Sequence, residues 1–141
     1  MKFIYDDGGR ALAGYKGETG DCGCRAIAIA TGKSYQEVYD LLNTMATKER
    51  ITKRKKRKSN ARTGLRATTA HKYFESIGWK WTPTMGIGTG CKVHLREDEL
   101  PTGRLVVRLS RHYAAVIDGV LHDTYDCTRD DTRCVYGYWH R

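Results

Sequence analysis

Apolar positions follow two different periods along this chain. Between residues 22 and 77 they recur at helical spacing, whereas beyond residue 104 they alternate or run together as they do in strands. In GDCGCRAIAIATG, the residues Ala26, Ile27, Ile29 and Ala30 lie between an Asp and a Gly. This predicts a short buried helix with Asp21 capping its first turn and Gly32 closing its end. In SYQEVYDLLNTM, Ser34 stands three residues before Glu37, and Val38, Leu41, Leu42 and Met45 follow at helical spacing. That is a capping box leading an amphipathic helix. Leu65, Thr69, Tyr73, Phe74 and Ile77 line a third helical face that ends before Gly78.

The segments RLVVRL, YAAVIDGVLHDTYD and RCVYGYW are rich in β-branched and aromatic residues and predict strands. Asp118-Gly119 marks a tight hairpin, because both residues tolerate positive φ. A pairing centred on that turn sets Tyr125 opposite His112 and Ala114 opposite Asp123. His112 and Asp123 then lie diagonally, within reach after a slip or bulge of a residue or two. Helices first and an antiparallel sheet second make an α+β chain.

Length and composition narrow the class. At 141 residues the chain fits one domain, 1–141, and 40% hydrophobic with 29% charged residues is too apolar for disorder and too interrupted for a membrane span. The start, MKFIYDDGGR, has neither the apolar run of a signal peptide nor the character of a transit peptide, which predicts a cytoplasmic protein. In that compartment Cys22, Cys24, Cys91, Cys127 and Cys134 are expected to stay reduced, and their odd number and irregular spacing predict no disulfide framework.

The net charge of +9 has one source. Thr47 to Arg66 carries ten Lys and Arg against Glu49 alone, so the rest of the chain is balanced. The run Lys53, Arg54, Lys55, Lys56, Arg57 and Lys58 has no apolar period and repels itself, which predicts a mobile exposed loop at about 47–64. Clustered cations suit phosphate or an acidic protein, but no aromatic residue is interleaved for base stacking.

The residues able to carry chemistry are few. A cysteine at a helix N-terminus beside a histidine has a stabilised thiolate, and Cys22 meets the first condition. His112 and Asp123 supply a base and a group to orient it. Cys24 is the alternative nucleophile and otherwise core or a resolving thiol, while Asp126 and His122 are alternatives for the third role. Cys91, His94, Cys127 and Cys134 are ligand-type residues, but they lack the paired short spacings of zinc ribbons or fingers, so no metal and no cofactor is expected. Gly86, Gly88 and Gly90 lack the following Lys-Ser/Thr of a phosphate loop and read as a turn.

TGDCGCRAIAIATG followed much later by RHYAAVIDGVLHDT resembles the Cys, His, Asp/Asn order of papain-like cysteine peptidases, and its Asp-Cys-Gly is similar to that of the bacteriocin-processing domains of peptide exporters. Over nearly the whole chain except the basic loop, the sequence also resembles a family of small bacteriophage and bacterial proteins, which adds no substrate. The resemblance implies a papain-like fold, N-terminal helices on a C-terminal antiparallel sheet, and a bacterial or phage-infected host cell. It implies Cys22 as nucleophile, His112 as base and Asp123 as orienter. Members usually carry a Gln about six residues before the cysteine, whereas Lys16 stands there in this chain. Lys16 and Thr19 are the weak candidates for an oxyanion donor beside the Cys22 N–H.

Two functions follow. One is a thiol-dependent hydrolase or acyltransferase acting on a peptide, isopeptide or amide bond of a peptide or protein substrate. The other is a catalytically weak or inactive scaffold that binds nucleic acid or an acidic host protein through its basic loop. Neither requires a membrane, and the oligomeric state is left open.

Overall fold

Each of the three helical patterns forms a helix within a residue or two of its expected ends. The computed structural model describes residues 1–17 and 19–141. In chain order the elements are β1 (Lys2–Tyr5), α1 (Cys22–Thr31), α2 (Tyr35–Ala46), α3 (Ala67–Ser76), β2 (Lys80–Pro83), β3 (Arg104–Leu109), β4 (His112–Ile117), β5 (Val120–Asp123) and β6 (Gly137–His140). The Ser34 side chain accepts from the Glu37 N–H at the start of α2, and Gly32 closes α1 in the left-handed conformation. No helix of the described residues is long and apolar enough to cross a membrane.

The strands form one six-stranded sheet in the order β1-β5-β4-β3-β6-β2. The architecture is α+β, but the sheet is mixed, because β1 runs parallel to β5 while the other neighbours are antiparallel. The expected sheet confined to the C-terminal half therefore gains an N-terminal edge. All four residues of β1 are exposed, so no alternation announces it. At the opposite edge β2 carries Pro83 at its end, where a missing N–H is tolerated.

The hairpin keeps the expected register. Ala115 faces His122, Val116 faces Leu121, and Ile117 faces Val120. Asp118 and Gly119 take φ of 48° and 78°, both in the left-handed region that such turns need. Side chains alternate across the sheet, so the helices pack on the face of Val106, Ala115 and Trp139. The opposite face, with Val107, Ala114, Val116 and Leu121, is covered by Leu95, Leu100 and Val135. Both faces are thus buried, and the open ends of the strands are where a site can form.

One expectation is corrected. Cys91 and Cys134 form a disulfide with Cα atoms 5.8 Å apart. They are 43 residues apart in sequence and meet because the segment around Val93 pairs with Val135. The basic segment holds no helix or strand. Lys53 to Lys58 are exposed, but the backbone folds around Arg66, whose guanidinium donates to the carbonyls of Arg57, Arg50 and Lys55 at 2.8–3.0 Å. Glu49 accepts from the Ser59 N–H and from the Thr69 hydroxyl, and pairs with Arg66 at 3.5 Å. A carboxylate and a guanidinium at the two ends of the segment supply the order that apolar periodicity did not.

Candidate active site

The first turn of α1 meets the strand ends of the β4–β5 hairpin distal to its turn. Cys22 is the first residue of α1, so its backbone N–H is among those the helix leaves without an intrahelical partner. Gly23 leaves room for Leu65 beside that turn: a Cβ there would stand 2.8 Å from Leu65 Cδ1, so the leucine would have to shift. His112 opens β4 and Asp123 ends β5, and by alternation they share one sheet face. His112 Nε2 lies 2.6 Å from Asp123 Oδ2, without the slip or bulge that the pairing was expected to need. Its ring is 5.4 Å from that of Tyr125, the neighbour expected from the turn.

Cys22 is half-buried and lines a cleft of about 810 Å³ together with His112. With Nε2 held by the carboxylate, Nδ1 is the ring nitrogen that remains. Burial opposes the Cys22 thiolate, but the hydrogen bond and charge of His112, the Tyr113 N–H and the charge of Arg25 outweigh it and lower the thiol's pKa. Burial likewise opposes the imidazolium, yet hydrogen bonds to Asp123, Cys127 and Cys22 carry the His112 pKa far above its usual value. Asp123 is pushed up by burial and brought down further by His112, the Thr124 N–H and Arg25. The shifts agree in sign, each favouring the charged form of its group.

A second network stands behind these three residues. Asp21 sits at the N-cap of α1 but makes no capping bond, contrary to expectation. It is buried, and a buried carboxylate takes the strongest available partners. Arg25 donates to its Oδ1, the Tyr35 hydroxyl donates to its Oδ2 at 2.7 Å, and Arg10 Nε lies 3.4 Å away. Arg25 also reaches Asp123 Oδ1 at 3.4 Å, which joins the network to the His112 partner. The sequence carried a signal for this, since Arg25 is the one charge inside α1 and stands four residues after Asp21.

The other expected residues divide. Thr19 lines the cleft, and its Oγ1 is buried without a partner among the described residues. Lys16 is exposed outside the cleft lining, where its carbonyl accepts from Arg62 at 3.0 Å. Lys53, Arg54, Lys55, Lys56, Arg57 and Lys58 do not line the cleft, although Thr63, Gly64 and Leu65 at the end of that segment do. Cys24 is buried in the core, His122 pairs with Asp6 at 3.6 Å, and Asp126 caps Thr128, so none of these joins His112.

Cys127 is a buried neighbour that the spacing did not suggest. Its sulfur and the donor atoms of His112 and Asp123 lie within 4.8 Å of one another. That trio has ligand-type atoms, but the His112–Asp123 separation is a hydrogen bond, and the Arg25 cation on Asp123 repels a divalent ion. The four ligand-type residues of the second half are otherwise engaged: Cys91 and Cys134 are bonded together, His94 faces Glu99 at 3.2 Å, and Cys127 lies beside His112 and Asp123. Comparison with protein-family models, curated proteins and solved structures finds no match to this chain.

Proposed function

We propose that this protein is a thiol-dependent hydrolase or acyltransferase acting on peptide, isopeptide or amide bonds, with Cys22 as nucleophile, His112 as base and acid, and Asp123 as orienter. The observation that carries the reading is the cleft-lining Cys22, its thiol acidity raised by His112 while His112 Nε2 donates to Asp123 at 2.6 Å. A helix-borne cysteine facing a His and an Asp on adjacent strands is also the layout of a papain-like enzyme, and the reading includes that fold.

The steps balance on these groups. The Cys22 thiolate attacks the carbonyl carbon, the C=O electrons move to oxygen, and the oxyanion accepts from the Cys22 N–H and the Thr19 hydroxyl. The C–N bond then breaks as imidazolium His112 gives its proton to the departing amine, leaving a thioester. Water, or an amine in the transfer reaction, loses a proton to His112 and attacks the thioester, and the C–S bond breaks. Thr19 thus takes the donor role that the Lys16 position leaves open, and removal of such a donor lowers rate by about 10²–10³.

The test is iodoacetamide labelling at pH 7 followed by turnover of a fluorogenic peptide library. Rapid modification of Cys22 alone, slowed in His112→Ala, with turnover lost in Cys22→Ser, is the expected result. Equal labelling rates in the two proteins would overturn the reading. A second reading, a binding protein, is favoured by the exposed row Lys53–Lys58 lying outside the cleft lining. It predicts salt-sensitive association with an oligonucleotide that is lost when that row is neutralised.

A further inference from the structure

Arginine dominates the charge of the cleft. Arg10, Arg25, Arg108 and Arg111 line it, and no Asp or Glu does among the described residues. Arg10 and Arg25 are balanced by Asp21 and Asp123. Arg108 and Arg111 are not: the arginine ion pairs of the described residues involve only Arg10, Arg25, Arg66 and Arg96.

These two cations share the cleft lining with the reacting histidine. Arg111 immediately precedes His112, in the β3–β4 turn, where it is exposed at φ 57°. Arg108 is half-buried on β3 and pairs directly with Tyr113, the residue after His112. The turn between them is braced, since Arg133 donates to the Ser110 carbonyl at 2.7 Å. Two guanidiniums without an ion pair among the described residues, one on β3 and one on the braced turn, offer a site for planar anions, and carboxylates match that fork geometry.

We infer that the cleft selects peptides with acidic side chains flanking the bond attacked by Cys22, and that Arg108 and Arg111 are its specificity-determining residues. The inference rests on the hydrolase reading for the placement of a scissile bond between those side chains. Nucleic acid carries the same sign of charge, but it offers no acyl carbon to a thiolate. A concave site on the order of the usual small-ligand pocket also suits a short peptide segment better than a phosphate track. The basic row Lys53–Lys58 is a separate feature, outside this lining.

The experiment uses the full chain as Cys22→Ala, so that binding is read apart from chemistry. Three fluorescein-labelled probes are titrated by anisotropy at low salt: an amidated decapeptide rich in Asp and Glu, its Asn/Gln counterpart, and a 20-nucleotide single-stranded DNA. The acidic peptide is expected to bind at least about tenfold tighter than the amide peptide, with that ratio shrinking as salt rises. Arg111→Gly suits the left-handed backbone and removes only the cation, so it should cut the ratio several-fold without unfolding. Arg108→Gln with Arg111→Gly should bring it to within twofold of unity, while Lys55→Gln with Lys56→Gln leaves it unchanged.

Absence of an acidic preference, or a preference that survives Arg111→Gly and the double substitution, overturns the inference. DNA binding tighter than the acidic peptide, with the same arginine dependence, overturns it in favour of nucleic acid. Turnover of the peptide library by the unsubstituted protein is scored separately. If acidic binding follows the arginines while no peptide is cleaved, the specificity site stands and the hydrolase reading falls. If Cys22-dependent cleavage occurs without acidic preference, the reverse holds.

Discussion

Cys22 and Cys24 share the first turn of α1, yet one lines the cleft, the other sits in the core, and their acidities move in opposite directions. Both thiols feel the same helix N-terminus, and Arg25 lowers the pKa of each, so neither influence separates them. Burial and the Asp21 carboxylate push Cys24 up to about 12, offset only in part by the Tyr35 side chain and the charge of Arg25. Cys22 has His112. The comparison teaches that a charged partner supplied by the sheet, rather than position on the helix, makes a thiol chemically useful in this fold.

The largest effect belongs to the residue that both thiols share. Arg25 is 8% exposed and balances two buried carboxylates, so Arg25→Met removes one cationic partner from each of Asp21 and Asp123. Breaking a buried pair from one side costs about 3–5 kcal/mol, which is measurable as a drop in urea midpoint. Arg25→Met combined with Asp21→Asn should recover part of the loss. The difference in acidity between the two cysteines should persist in any variant that still folds; its collapse would mean that Arg25, not His112, separates them.

The next effect acts on the difference itself. Wild-type Cys22 should react with iodoacetamide with a pH midpoint below the thiol's ordinary 9.0, because His112 favours the thiolate. In His112→Gln the cation is gone and burial remains, so the midpoint should move up. The rate at pH 7 then falls at least about tenfold, each pKa unit being a factor of ten in thiolate. A midpoint that stays in place would break the comparison.

What was legible in the sequence was what is local in the fold. Ser34 and Glu37 announce the start of α2, and Asp118-Gly119 fixes the hairpin register that brings His112 to Asp123. Features held by distant partners were not legible. Lys2–Tyr5 has no alternating pattern because its strand is defined by pairing with Val120–Asp123, not by a buried face. Cys91 and Cys134 join only after the sheet has gathered their segments, and the basic stretch looked unstructured because its organisers are two polar side chains, Glu49 and Arg66. Arg108 and Arg111 read as ordinary strand and turn cations until the fold brings both into the lining of the cleft that holds His112.

The smallest expected effect is the one that most sharpens the contrast between the two thiols. Cys24 is 1% exposed and packs in the same cluster as Ile27, Tyr35 and Val38, so its sulfur contributes mainly by filling space. Cys24→Ala removes one heavy atom from that packing and should cost about 1 kcal/mol, seen as a small shift in the urea midpoint with an unchanged slope. Native-state labelling should continue to report one reactive thiol per chain, at a rate within twofold of wild type. Labelling after unfolding should fall by one group. If Cys24→Ala instead slowed modification of the native protein tenfold, Cys24 would be electronically or structurally coupled to the cleft, and the separation of α1 into a chemical side and a packing side would fail.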